Sequence, residues 1–555
     1  MSNHFSSSQL TDTQAGSSIE EVRPNEYTIR APFNLFLNTQ TVNRLLRTYL
    51  LVAITYTAVA YFRQAIARAF SIVSRTSAKT ANVVTLTVFT ILTWQPTIIL
   101  AAFFLAFVPE VNEFFQHTLP DFFWAQPWSF VFWVLIIFKF SKVVIHLISY
   151  ITYRPVPLPA HPTLSRSDVS VIIPTVGDVS ETQFHHEFEE CLKTILLNRP
   201  LEIIISTVGD QKRQQLVAFC QEALQRFRAE PDFADVNTTI RVISIDVPDK
   251  RQQLLAGVQL VGTRITAYAD DHVYWPRTFL EHTLAAFEDD LVGLVGTVKR
   301  VRRERGNTLL DSLMNYLALM YLERHNYECT ATNNIDGGVF VISGRTAMTR
   351  TRIIQSAAFR NGFTSESWLG AGPMKVDDDN FITRFMVNHG YKTVFQNCPE
   401  ARMETVLGVS GPRKLQGQMI RWARTTVRSN AVSLLIDRTC WRAHPWTTWG
   451  MFITSYLNNA LIYDSLLFYT FKKSDMSFPL LYLVAAVYGS KLIKPFGHLC
   501  REPRDVFFVL FNVFVFSYVH SLLKIWAFLT PRNIAWTGRK GIDAAGGAAA
   551  PAVNT

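Results

Sequence analysis

Long hydrophobic runs near the two ends of this chain enclose a middle in which short hydrophobic runs alternate with amphipathic ones. Residues 83–108, VVTLTVFTILTWQPTIILAAFFLAFV, carry no charge and as a helix would cross the roughly 30 Å hydrocarbon layer of a membrane. A second run covers 129–151, with Lys139 and Lys142 near its middle; lysines at that depth are expected to face protein or water, not lipid. Hydrophobic runs return at 447–471, 478–494 and 505–530. The stretch 46–62 reads either as an interfacial or membrane-dipping helix or as one further span.

The connecting segments suggest an orientation. Residues 109–128 hold Glu110, Glu113 and Asp121 but no Lys or Arg, whereas Arg63, Arg68, Arg75 and Lys79 precede them. Positively charged residues stay on the cytosolic side, so 109–128 is expected outside and both flanks inside. The loop 495–504, with His498, Arg501 and Arg504, reads as cytosolic. Three full crossings after a cytosolic middle domain would leave the C-terminus outside. The 505–530 run is long and holds Ser517, His520, Ser521 and Lys524, so it either crosses or bends back. The expected organisation is a disordered, Ser-, Thr- and Gln-rich cytosolic tail over 1–45, with no signal peptide, and an N-terminal membrane region over 46–154. A cytosolic domain over 155–445 follows, then a C-terminal membrane region over 446–530 and a tail over 531–555.

Between 155 and 445 the period of the pattern changes. VSVIIP (169–174), LEIIIST (201–207), RVISIDV (241–247) and RITAYA (264–269) are short β-rich runs. The stretches 183–197 and 211–229 place apolar residues at three- and four-residue intervals, the helical period. This alternation predicts an α/β domain with a mostly parallel sheet and helices on both faces. Ligands of such sheets bind at the carboxyl ends of the strands, so the residues after each strand are the candidates for chemistry.

Composition narrows the class. Of 555 residues, 48% are hydrophobic and 18% charged, and the mean hydropathy is +0.12; a membrane protein with a large water-facing domain satisfies both. Aromatic residues make up 13%, which excludes a disordered chain. Six cysteines without CxxC spacing indicate neither a zinc site nor a disulfide framework, and fit a reducing compartment. The net charge of +10 comes without a basic tract, so no nucleic acid is expected as partner. Loops beside anionic lipid and a phosphorylated substrate explain it more economically.

Three clusters carry candidate chemistry. After the fourth strand comes Asp270-Asp271-His272; strand side chains alternate, so Asp270 and His272 point the same way and could hold a divalent cation that neutralises a diphosphate. The alternative is an acidic turn before Trp275-Pro276. Farther on, Asp377-Asp378-Asp379 precedes an amphipathic run. Adjacent carboxylates repel, which raises the pKa of at least one and suits a general base for a sugar hydroxyl; helix capping is the alternative. Finally Gln418, Arg421 and Trp422 fall on one helix face, combining an amide, a phosphate-binding fork and an aromatic plate that can stack on a sugar. A basic interfacial helix would explain Arg421, Arg424 and Arg428 without that grouping, and Arg424 and Arg428 are expected to anchor the helix at the lipid surface.

In this order, VSVIIPT, ADDHVYWP (a variant DxD motif), VDDDNFITR and QMIRW (a QxxRW motif), with flanking spans, resemble the processive family 2 glycosyltransferases: hyaluronan, chitin and cellulose synthases. The DDH variant looks most like fungal polysaccharide synthases related to type 3 capsule synthases. HLCREPRD (498–505) and AWTGRKG (535–541) resemble the terminal loop and Trp-Gly-Thr-Arg-type motif of hyaluronan synthases. The resemblance, over roughly 165–540, implies a GT-A fold that binds a UDP-sugar with Mn²⁺ or Mg²⁺ and adds hexoses, with inversion, to a growing polysaccharide. The polymer would leave through the membrane helices, from a multi-pass protein of the plasma membrane whose catalytic domain faces the cytosol, as in a cell-wall polymer synthase.

Carried over by position, Asp378 is the implied base and Asp377 its neighbour. Asp270 is implied at nucleotide and metal, and His272 takes the place of a metal-binding Asp. Lys250, Thr175, Asp178, Arg421, Trp536 and Arg539 are implied at the donor, and Gln418, Trp422, Asp336 and Gly337 at the acceptor. The aromatic residue that would stack on uracil is absent from Pro174-Thr175-Val176-Gly177-Asp178. A ceramide-type lipid glycosyltransferase is the rival reading. A non-catalytic transporter or scaffold would have to treat Asp270, Asp378 and Arg421 as accidents.

Overall fold

The computed structural model describes residues 125–534 apart from 305, 307, 376, 410 and 475. The expected segments 46–62 and 83–108, and the motif at 535–541 with Trp536 and Arg539, lie outside the described residues. The chain forms two compact units, Met1–Phe130 and Val131–Thr555; of the first, only residues 125–130 are among those described.

The predicted strands form within two residues of their expected places: β1 Val169–Pro174, β2 Glu202–Val208, β3 Thr239–Ile245 and β4 Ile265–Ala269. They are followed by β5 Val273–Tyr274, β6 Val292–Thr297, β7 Lys299–Val301, β8 Thr346–Arg350, β9 Lys392–Gln396 and β10 Met403–Thr405. The large sheet has the order β3-β2-β1-β4-β8-β6-β9. Its first four strands are parallel, but β8 runs antiparallel to both β4 and β6, and β9 returns parallel to β6. The sheet is therefore mixed but mostly parallel as expected, four of its six pairings being parallel; the antiparallel β8 is what the simple alternation did not foresee. A small sheet, β5-β10-β7, was not foreseen.

Helices of eight or more residues among the described ones are α1 Pro127–Thr152, α2 Thr182–Leu196, α3 Asp210–Arg228, α4 Lys250–Val258, α5 Leu309–Asp336, α6 Ala357–Ser365, α7 Asp378–Asn388, α8 Pro412–Ala431, α9 Ala460–Lys473, α10 Leu480–Arg501 and α11 Ser517–Leu529. All six residues of β1 are buried, as expected of a strand covered on both faces. Val169, Val171 and Ile173 pack with Phe188 and Leu192 of α2 and Leu216 and Phe219 of α3. Ile172, one step out of phase, packs with Leu254 and Val258 of α4, Phe359 of α6 and Phe385 of α7. The two-residue alternation of one strand thus divides the helices between two layers.

Two helical segments are long and apolar enough to cross a membrane, Pro127–Thr152 and Pro503–Leu529, with mean hydropathies of 2.1 and 2.0. The second is helical throughout, with a π turn at Asn512–Phe516, and does not bend back. The expected run 447–471 is broken instead: a short helix ends at Leu457, and Asn459 caps α9 by accepting from Ile462 N. The expected loop 495–504 is largely helix, since α10 continues through Pro495 to Arg501.

Polar joints tie these helices together. Asp464 on α9 is 1% exposed. Its carboxylate lies 2.5 Å from Lys139 of α1 and 2.8 Å from Lys491 of α10, and accepts from the Tyr518 hydroxyl of α11 at 3.2 Å. Lys139 thus faces protein. Lys142 lies 3.5 Å from Glu328 of α5, which also pairs with Lys494. Removing one partner of a buried ion pair costs about 3–5 kcal/mol, and here two lysines would be left facing each other. Asp464→Ala is therefore expected to lower the unfolding midpoint in detergent micelles by a stability loss of that size; a midpoint equal to wild type would rule out this role for the joint.

Candidate active site

The site starts from the N-terminus of α4. Asp249 caps this helix, accepting from the backbone N–H groups of Arg251 at 2.9 Å and Gln252 at 3.1 Å. A Cβ at Gly257 would lie 2.8 Å from Cγ2 of Ile172, so glycine lets α4 settle directly onto β1. Lys250, the first residue of α4, then reaches the carboxyl end of β4. Its Nζ lies 3.0 Å from Asp270 Oδ1 and 3.3 Å from Asp378 Oδ2, and donates to the Gly344 carbonyl at 3.3 Å.

These three charges sit in a water-poor pocket and set one another's ionisation. Burial, joined by the like charges of Asp379 and Asp270, outweighs the attraction of Lys250 and pushes the Asp378 carboxyl up to about 6. Burial also pulls Asp270 upward, but Lys250, His272 and Arg345 hold it below the usual carboxylate value. Lys250 loses by burial and gains more from Asp270 and Asp378, so its ammonium titrates above its ordinary value. Two nearby carboxylates with pKa values driven apart are the arrangement from which acid–base roles arise.

The Asp377–Asp379 run divides its work. Asp377 has φ +62°; its carboxylate accepts from the Thr425 hydroxyl at 2.7 Å and pairs with Arg428, while its carbonyl accepts from buried Arg251 at 3.0 Å. Asp379 accepts from the Gly344 N–H at 3.2 Å. Asp378 alone faces Lys250. Arg428 also donates to the carbonyls of Pro531 at 3.0 Å and Asn533 at 3.3 Å, and Arg424 to the Thr530 hydroxyl at 3.0 Å. Both arginines are buried, which corrects the expectation that they anchor α8 at a lipid surface. They anchor it to the segment that leads towards Trp536.

The Asp-Asp-His motif is not strand but the turn between β4 and β5, so strand alternation does not set its side chains, and the middle residue has a use the sequence did not suggest. Asp271 is 2% exposed; one oxygen accepts from the Thr175 hydroxyl at 2.6 Å and the other lies 2.8 Å from His272 Nδ1. A carboxylate on Nδ1 sets the tautomer and presents Nε2 as a ligand nitrogen. Thr175 thus spends its hydroxyl inside the loop. Asp178 is bound within its own turn, accepting from Ser180 N at 2.9 Å and Oγ at 2.6 Å.

The third cluster lies across α8. Trp422 packs against Tyr321 of α5, with ring centroids 4.9 Å apart. The Arg345 guanidinium stands 5.5 Å from the centre of the Trp422 ring. The Nε atoms of Arg345 and Arg421 are both buried without a hydrogen-bond partner among the described residues. Gln418 lies one turn before Trp422 and is half-buried. Arg345, which no motif flagged, arrives because β8 is antiparallel: its entry end lies beside the exit end of β4, and the Asp270 N–H donates to the Arg345 carbonyl at 2.8 Å. Asp336 and Gly337 end α5. The Asp336 carboxylate accepts from the Thr447 hydroxyl at 2.6 Å, the Thr447 N–H at 2.9 Å and the Gly338 N–H at 3.0 Å, and Gly337 takes φ +73° as the helix cap.

Comparison with known proteins fits this site. The model of the family described as glycosyltransferase like family 2 matches residues 166–425. A type 2 glycosyltransferase of Zymoseptoria tritici is 36% identical over 427 residues, covering 75% of this chain and 84% of that protein. One of Pyricularia oryzae is 34% identical, covering 74% and 82%. The NDP-glycosyltransferase ltbB of Aspergillus luteorubrus is 32% identical, covering 55% and 72%. Among solved structures, a mannosyltransferase of Pyrobaculum calidifontis in complex with GDP-Man and Mn²⁺ aligns with 72% of this chain and 98% of its own at 16% identity and a TM-score of 0.43. On the strength of these relatives, the chain that carries the Lys250-centred carboxylates, the Asp-Asp-His turn and the Arg421–Trp422 helix belongs to glycosyltransferase family 2.

Proposed function

We propose that this glycosyltransferase takes a hexose from a UDP-sugar and adds it, with inversion, to the end of a growing polysaccharide that leaves through its own helices. The observation that carries the reading is Asp378, a buried carboxyl pushed up to about 6 beside a second carboxylate that stays ionised. Asp378 takes the proton of the acceptor hydroxyl as that oxygen bonds to the anomeric carbon. The bond from that carbon to the diphosphate breaks, and UDP departs with the electron pair. A single displacement with one base inverts the centre. The relative named as an NDP-glycosyltransferase supports a nucleoside diphosphate sugar as donor. The two apolar helices support a multi-pass membrane setting, which we place in the plasma membrane with the transfer site on the cytosolic side.

The donor set fits a divalent ion. Asp270 supplies a carboxylate, His272 an imidazole oriented by Asp271, and the buried unpartnered Nε atoms of Arg345 and Arg421 suit the diphosphate such an ion would accompany. Asp270 and His272 would hold Mn²⁺ or Mg²⁺, and imidazole favours Mn²⁺. When bound, the ion neutralises the charge of the leaving diphosphate. Lys250, Arg345 and Arg421 add positive charge from the protein. Trp422, with Gln418, offers the acceptor sugar a face to stack on.

Three outcomes are expected. Asp378→Asn should lower transfer by about 10²-fold or more with UDP affinity unchanged, and the wild-type rate should fall as pH drops through about 6, where the base takes up its proton; a variant as active as wild type excludes this base. Asp271→Asn should weaken Mn²⁺ activation by about 10–100-fold, read from metal titration of UDP release; unchanged titration excludes His272 as an oriented ligand. Trp422→Ala should abolish long polymer while leaving UDP affinity within a few-fold, whereas Arg421→Ala should weaken UDP binding itself. Calorimetry with product sizing checks the pair, and equal loss of UDP affinity in both would end the division of labour.

A further inference from the structure

Away from the transfer residues, His282, Cys398 and Glu400 place one nitrogen, one sulfur and one carboxylate oxygen all within 4.8 Å of one another. They come from two segments distant in sequence. His282 lies near the end of the short helix Phe279–Leu284. Cys398 and Glu400 belong to the turn after β9, where Pro399–Ala401 forms a single 3₁₀ turn. No Cys-Cys spacing could reveal this group, because its thiol is joined by a histidine and a glutamate.

The framework around the three donors is already braced. Gln396 Nε2 donates to the His282 carbonyl at 2.9 Å, and the Thr278 hydroxyl donates to the Glu400 carbonyl at 3.0 Å. Both ligand-bearing segments are thus held against each other by bonds that use none of the donor atoms, so a guest ion would meet side chains with little backbone left to order. Cys398 is 6% exposed while Glu400 is exposed, which gives a route of entry from solvent and a protected sulfur. Thiolate, imidazole and carboxylate together are a zinc donor set, and three protein ligands leave a fourth tetrahedral position for water.

We propose that His282, Cys398 and Glu400 bind a Zn²⁺ ion distinct from the catalytic cation. On binding, the Cys398 thiol gives its proton to solvent and its sulfur bonds to the metal. The ion fastens the turn that joins β9 of the large sheet to β10 of the small one onto helix Phe279–Leu284. Since β10 pairs with β5, directly after His272, the clamp steadies the strand that follows the Asp-Asp-His motif. None of the three residues takes part in the transfer chemistry proposed above, so the site stands or falls separately.

The test uses the full chain in detergent, stripped with a chelator and titrated with Co²⁺ as a spectroscopic probe and then with Zn²⁺. A thiolate-to-cobalt charge-transfer band should rise to saturation at a single equivalent and be displaced by Zn²⁺. It should be absent in Cys398→Ser, weakened at least tenfold in affinity in His282→Gln, and intact in Cys500→Ser, which alters the one cysteine exposed to solvent. Zn²⁺ should raise the melting temperature of wild type and leave that of Cys398→Ser unmoved. No band in wild type, or an undiminished band or zinc-induced stabilisation in Cys398→Ser, would overturn the proposal.

Discussion

The contact on which the rest of this site depends is the Lys250 ammonium held between Asp270 at 3.0 Å and Asp378 at 3.3 Å. Without a cation there, two buried carboxylates and the nearby Asp379 would repel one another, and burial would drive more than one to take up a proton. With it, one carboxylate stays ionised and the other is poised near neutrality. Several backbone features serve this contact. Gly257 lets α4 lie close to β1, and Asp249 caps its first turn. Gly344 gives its carbonyl to Lys250 and its N–H to Asp379; a Cβ there would approach Asp378 Oδ2 to 3.0 Å.

A second set of buried pairs connects this centre to the helices outside the sheet. Arg428 reaches Asp377 on one side and the carbonyls of Pro531 and Asn533 on the other. The Asp377 turn, α8 and the chain beyond α11 therefore share one guanidinium. Long helix α5 makes the other link: Tyr321 packs on Trp422, and Glu328, two turns on, binds Lys142 of α1 and Lys494 of α10. A change in the helical region thus has a short physical route to Trp422.

Much of this was legible in the sequence where local pattern and tertiary role agree. Strands β1 to β4 and helices α2 and α3 fall within two residues of their periodic signals, and Lys250, Asp270, Asp378 and Arg421 stand in recognisable motifs. Legibility failed where the determinant is topological. Arg345 carries no motif; it joins Asp270 because β8 enters antiparallel, a pairing that periodicity cannot express. Asp271 was passed over because strand alternation was expected to turn it away from Asp270 and His272, whereas the motif forms a turn in which Asp271 contacts His272 Nδ1. The hydrophobic appearance of 447–471 hid a break at Asn458–Asn459, where one asparagine side chain starts a new helix more favourably than the old one continues. Arg424 and Arg428 looked like surface anchors because their partners lie about a hundred residues later or in the Asp377 turn.

The central claim, that Lys250 sets the ionisation of Asp378, is tested most directly by the pH dependence of UDP release in wild type and Lys250→Gln. Lys250 lowers the Asp378 pKa against burial, so removing its charge should move the acidic limb of the rate profile above its wild-type position near 6. A limb that stays in place, or moves to lower pH, would contradict the account.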